Sequence, residues 1–305
     1  MAGPRKSPPP GARGSPPPRK LTAAGVDRGR PLADFLAERL ATSPAAVESL
    51  VRGGSVYIGR RRVEDVAHPL AAGDQVTVHA AAAPLPGAAS PRGSDLESWV
   101  VHRDADVLVI DKPPGVPSQA TRSSSAGALD RMVAEALDPA ARLIHRLDRD
   151  ASGLVLFTRT AAAHRRFADL LATGRLERTY LAAVWGHWPT HTAELTGSIG
   201  RDPHDHRRMA VGSGRPALTL VRLVRDGRGP GGQPASLLEL DLVTGRTHQI
   251  RVHLSHAGHP VCGDALYGPE HPPLERLFLH AQRLAWPGAS PVTAPVPAAL
   301  ADLIG

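Results

Sequence analysis

The chain has 305 residues and a formal net charge of +7, with 42% hydrophobic and 4% aromatic residues. That length allows a large domain and a small one, each with its own core. The single cysteine, Cys262, excludes an intrachain disulfide, and no apolar run is long enough to span a bilayer or form a signal-peptide core. A cytoplasmic protein is expected.

Residues 1–25 carry Pro8 to Pro10, Pro16 to Pro18 and scattered Gly, Arg and Ser, with too little apolar surface to fold, so a disordered basic tail is expected. Residues 1–30 hold seven Lys and Arg against Asp27 alone, or +6, which leaves +1 for the rest of the chain. A nucleic-acid site on the body must therefore rest on local clusters. Residues 30–80 form a compact pattern. Pro31 opens a predicted helix with Leu32, Phe35, Leu36 and Leu40 on one face. Ser43-Pro44 starts a second, carrying Val47, Leu50 and Val51, and Gly53-Gly54 ends it. Short strands are predicted at 55–58 and 75–79, separated by Arg60 to Arg62 and a Gly73-Asp74 turn. With its closing LAAGDQVTV phrase, this stretch resembles the small RNA-binding domain named for ribosomal small-subunit protein four, which implies RNA contact. Residues 81–97, rich in Pro, Gly, Ala and Ser, are expected to be a linker.

A large domain is predicted over 98–305. A buried strand at 107–110 runs into the turn Asp111-Lys112-Pro113-Pro114-Gly115. Helices are predicted at 129–137 and 161–172, the second closed by Gly174, and strands at 179–185, 218–224 and 237–243. Strands and helices are interspersed without strict alternation, which predicts an α+β fold with a mixed or antiparallel sheet flanked by helices.

The stretch LIHRLDRDASGLVLFT, residues 143–158, joins a polar loop to a core strand. Ser152 and Gly153 supply turn chemistry, so the strand holds the loop and fixes the side chains it presents. Asp148 lies between Arg146 and Arg149, cations that favour an ionised carboxylate, though a solvated turn of mutually neutralising charges explains this window equally well. Further on, His253, His256, His259 and Cys262 have a zinc-like composition and spacing. Gly258 and Pro260 interrupt the helix they would need to share, so no metal is expected. On that helix Ile250, Leu254 and Ala257 form an inward stripe that turns Arg251 and His248 toward another face, where an Arg can reach a carboxylate. No phosphate-binding loop, dinucleotide fingerprint or serine-hydrolase elbow is present.

Together, HRLDRDASG, Arg178 to Tyr180, GRTHQIRVHLSHAGHPVCGDALYG and LHAQRL resemble the RluA-type pseudouridine synthase family, in its motif order, across most of residues 98–287. The resemblance implies that Asp148 is the catalytic carboxylate, that Tyr180 lies against the uracil ring and that Arg251 pairs with Asp148. It implies that Arg146 fills the gap left by a flipped nucleotide, and His145, Arg178 and Arg246 are expected to bind RNA. Ala151 replaces the family's usual Thr and Arg178 its usual Lys, and neither belongs to the Asp, Tyr and Arg set. The isomerisation breaks a carbon–nitrogen bond, turns the base and rejoins it through carbon, with no redox step, so no cofactor is expected. The implied partner is RNA, large-subunit ribosomal RNA first and tRNA second, and a monomer is expected. A glycosidase would want a second positioned carboxylate, which Asp150 supplies poorly. A non-catalytic RNA-binding factor is the other reading, against which the intact Asp148, Tyr180 and Arg251 speak.

Overall fold

The computed structural model describes residues 19–40, 42–52, 56–59, 61–63, 65–78, 93–120, 127–205, 207–268, 271, 274 and 276–303. It divides at Pro84 into two compact units.

The smaller unit runs β1 (Arg19–Thr22), α1 (Leu32–Leu40), α2 (Pro44–Arg52), β2 (Val56–Ile58), β3 (Arg61–Arg62) and β4 (Gln75–Val78). Its sheet has the order β1-β4-β2-β3, and the helices close over a core of Leu32, Phe35, Leu36, Val47, Val51, Val56 and Val76. The expected tail is shorter than the sequence suggests, because Arg19–Thr22 pairs antiparallel with β4, Leu21 opposite Val76. Two basic residues followed by Leu and Thr give no periodicity to read; only the pairing with β4 makes them a strand. Residues 1–18, the rest of that expected tail, lie outside the described residues.

The larger unit continues with β5 (Val100–Arg103), β6 (Val107–Lys112), α3 (Leu129–Ala136), β7 (Arg142–Leu143), β8 (Ser152–Thr158) and α4 (Ala161–Ala172). Then follow β9 (Glu177–Trp185), β10 (Thr192–Arg201), β11 (Met209–Val211), β12 (Arg215–Arg228), β13 (Pro234–Leu242), α5 (Gln249–His256), β14 (Leu279–Ala285), β15 (Val292–Thr293) and α6 (Ala298–Asp302). Nine strands lie in the order β11-β10-β12-β13-β9-β14-β8-β6-β5, with β7 and β15 paired to β8 and β14. Of these pairings only β14 with β8 is parallel, so the fold is α+β with a mixed sheet. The large unit reaches into the expected linker, since Leu96 is fully buried in its core. Residues 81–92 lie outside the described residues.

Side-chain alternation gives this sheet two covered faces. Leu108, Ile110, Val155, Phe157, Tyr180, Ala182 and Val184 share one core with α3 (Leu129, Val133) and α5 (Ile250, Leu254). Val107, Val109, Leu154 and Leu156 point the other way, onto Phe167 and Leu170 of α4. A strand covered on both faces reads as an unbroken apolar run, which is why 154–157 was legible as buried. Tyr180 and α5 thus lie on the same face of the sheet.

Candidate active site

The Asp148 loop is fixed from below by Lys112, the last residue of β6. Its fully buried Nζ donates to the carbonyls of Pro113 at 2.9 Å, Arg149 at 3.0 Å and Ala151 at 2.6 Å. Burial pushes its amine down to about 7, with Asp150 and Asp148 opposing that shift. Three carbonyl acceptors satisfy all the donors of one ammonium group, so a single side chain sets the path of the chain on either side of Asp150. Ser118 holds the other flank: its Oγ donates to the Leu147 carbonyl at 2.9 Å and lies 3.0 Å from the Leu147 N–H. Gly115 and Arg149 add a reciprocal pair of bonds. None of this scaffold was read from the sequence, where Lys112 belongs only to a turn; its signal was a lysine closing an apolar strand.

Above the loop, α5 delivers Arg251. Its Nη1 donates to Asp148 Oδ2 at 3.0 Å, while Nε and Nη2 bind Asp264 in a fork, at 2.7 and 2.8 Å. Asp264 Oδ1 also accepts the backbone N–H groups of Leu266 and Tyr267, both at 3.0 Å. Burial works against the Asp264 charge, but Arg251 and these N–H groups outweigh it and hold the carboxyl below its usual range. Burial likewise opposes the Arg251 charge, and the two carboxylates more than offset it. The Tyr267 ring lies under the guanidinium, 5.0 Å from its carbon. Planar, bidentate recognition is what an Arg fork supplies, and it leaves one N–H aimed at Asp148. Asp264 and Tyr267 sit within the GDALYG phrase but had no role assigned; the cue was an Asp two and three residues before N–H groups that it accepts.

Tyr180 is buried opposite Leu240 and Ala281 in the sheet. Burial raises its hydroxyl pKa; Arg178 opposes that and the Asp148 charge adds to it. Arg146 is exposed, and its charge reaches His248 at the head of α5. Arg246 is half-buried, its Nε donating to the Pro216 carbonyl at 3.0 Å.

Two expected RNA-contact residues are instead interior. His145 is 6% exposed, its Nε2 accepts the Leu156 N–H at 3.3 Å, and burial, aided by Arg178, pushes its pKa down to about 3. Arg178 is 5% exposed and donates through Nη2 to the carbonyls of Leu242 and Thr244 at 3.2 and 3.4 Å, bracing the turn that leads into α5. Their charge signalled contact with RNA, but each is buried and bonds backbone groups inside the protein through one of its nitrogens. Three residues of the zinc-like series have different surroundings. His253 meets Thr219 Oγ1 at 3.0 Å, His259 meets the Trp185 carbonyl at 3.0 Å, and buried Cys262 has its thiol pushed up to about 12.

A family model described as RNA pseudouridylate synthase matches residues 106–256. Ribosomal large subunit pseudouridine synthase C of Escherichia coli (strain K12) is 31% identical over 90% of this chain and 91% of its own length. The chain belongs to the RluA-type pseudouridine synthase family. An uncharacterized RNA pseudouridine synthase of Chloroflexus aurantiacus is 44% identical over 58% of this chain, an alignment that spans 55% of that relative. Among solved structures, Human RNA Pseudouridylate Synthase Domain Containing 1 is similar with a TM-score of 0.56 and 30% identity, covering 64% of this chain and 82% of that one. The family model ends at the last residue of α5, so it takes in both Asp148 and the Arg251 that reaches it. Asp264 and Tyr267 lie beyond it.

Proposed function

We propose that this RNA pseudouridine synthase modifies uridine in large-subunit ribosomal RNA, with Asp148 as the catalytic carboxylate, Arg251 as its charge partner and Tyr180 as the surface for the uracil ring. The bond from Arg251 Nη1 to Asp148 Oδ2, 3.0 Å long, carries the reading. It orients the carboxylate at the edge of the core that holds Tyr180. Arg146, exposed beside Asp148, is the side chain that occupies the gap when the base leaves its stack. Arg246 is the second proposed RNA contact. The enzyme is proposed to act as a monomer, and ribosomal RNA as substrate would put it in the cytoplasm.

The ribosomal choice is supported by relatives named for the large subunit that align over 84% to 90% of this chain, more than the large unit alone holds. The small unit is thereby proposed as an RNA-binding module of the same enzyme.

The test is tritium release from uracil-labelled large-subunit RNA. Wild type is expected to release tritium and Asp148→Asn to release none while binding the RNA with similar affinity. Substantial turnover by Asp148→Asn would refute the catalytic assignment; a pseudouridine lost from tRNA alone in a deletion strain would refute the ribosomal one.

A further inference from the structure

His248 has a φ of 55°, and no other described non-glycine residue has a positive one. It is the N-cap of α5 and makes no side-chain cap bond. The next residue, Gln249, braces the loop that enters the helix, its Oε1 accepting from the Arg246 N–H at 3.0 Å and from Thr244 Oγ1 at 2.8 Å. Local structure alone favours Asn or Gly at a left-handed N-cap. Strain of this kind persists where the surrounding structure enforces it, and it clusters at functional sites.

The side chain points into the candidate site. His248 Nδ1 lies 2.7 Å from the Tyr267 hydroxyl and Nε2 lies 4.0 Å from Asp148 Oδ1. The network fixes the tautomer. The Tyr267 oxygen already accepts the Met209 N–H at 2.8 Å, and the residue is 3% exposed. Its hydrogen has one acceptor among the described residues, His248 Nδ1. The reverse assignment would bury an unmatched O–H donor. Burial raises the Tyr267 hydroxyl to about 12, so it keeps the hydrogen it donates, and burial lowers the His248 pKa, which favours the neutral ring. The imidazole hydrogen is therefore on Nε2, facing Asp148.

We propose that His248 is a positioning residue whose Nε2–H closes onto Asp148 Oδ1 when RNA fills the site, so that Arg251 on Oδ2 and His248 on Oδ1 hold the carboxylate at both oxygens. This rests on Asp148 being the catalytic carboxylate. Such bonds are often long in unliganded enzymes and tighten in the substrate complex. Holding both oxygens stops the carboxylate rotating during the chemical step, so the effect belongs to kcat.

His248→Gly removes the ring and relieves the backbone, so it separates the two roles. Relief of the backbone offsets the loss of the Tyr267 acceptor, so its melting temperature is expected to stay close to that of wild type, with KM little changed and kcat down about tenfold or more, the scale of one hydrogen bond to a charged group. Wild-type kcat in this variant, or a rise in KM alone, would overturn the proposal. Long-range proton–nitrogen NMR of histidine-labelled protein is expected to show His248 as the Nε2–H tautomer and to show a changed Nδ1 signal in Tyr267→Phe; an Nδ1–H tautomer in wild type would overturn it. The NMR readout needs no turnover. Absence of tritium release by wild type would thus count against the proposed function and not against the tautomer.

Discussion

Asp148 is held by one guanidinium, and Asp264 holds that guanidinium in turn. The forked bond between Arg251 and Asp264 is buried, so removing the carboxylate strands much of a charge in the core. Asp264→Ala is expected to lower stability by about 3 kcal/mol in denaturant unfolding, the range for breaking a buried pair. His145 makes a different prediction through its proton. The unfolded chain takes up that proton near the ordinary 6.5, the folded chain only near 3. The folded state thus binds fewer protons in this window, and the His145 contribution is full above 6.5 and lost on acidification toward 3. His248, His253 and His280 shift in the same direction, so the measurable quantity is a difference between proteins. His145→Gln is expected to flatten the fall in stability by at most about 1.4 kcal/mol per pH unit between those limits, in unfolding curves recorded across pH.

At the scale of elements, the site depends on one crossing. The strand that follows the Asp148 loop runs parallel to β14, with Gly153 paired to Ala281. A Cβ at Gly153 would lie about 2 Å from the Ala281 backbone oxygen, at a φ of +108°. Gly153→Ala is expected to cost about 3 kcal/mol through overpacking and strain, read as a lower melting temperature, with lower activity because the loop shifts. The sequence marked Gly153 as a turn residue, but the close approach needs β14, more than a hundred residues away, to be seen. Helix α4 was legible to the residue because an amphipathic stripe and Gly174 define it locally. Strands β10 and β11 were missed. Alternate β10 residues are half-exposed, and Gly197 and Gly200 carry no β propensity; the registers with β12 and β11 make them a strand.

For the whole molecule, charge and structure separate the tail from the small unit. The excess of +6 in residues 1–30 includes Arg19 and Lys20, which belong to β1. Removing residues 1–18 therefore takes away Arg5, Lys6 and Arg13 and leaves the sheet whole, whereas removing 1–25 also strips an edge strand. If the segment binds phosphate, the shorter truncation should weaken RNA binding mainly at low salt. The slope of log K against log salt should become shallower by about 0.7 to 0.9 for each phosphate that the truncated enzyme no longer neutralises. The modified uridine should stay the same, because phosphate binding positions an enzyme without reading bases. Affinity measured over a salt series, with mapping of the modified position, checks both outcomes; an unchanged slope would mean that the segment takes no part in RNA binding.

The sequence by itself determined the fold class, the two-part organisation, the family, and Asp148, Tyr180 and Arg251 as the residues to examine. Those features are carried by local periodicity and by motifs that are contiguous in the chain. Only the tertiary structure decided that His145 and Arg178 are interior braces, that Lys112 carries the loop, and that Asp264, Tyr267 and His248 surround the ion pair. Burial and hydrogen-bond partners belong to pairs of distant segments, and a polar residue looks the same in sequence whether its partner is water, RNA or a backbone carbonyl inside the core.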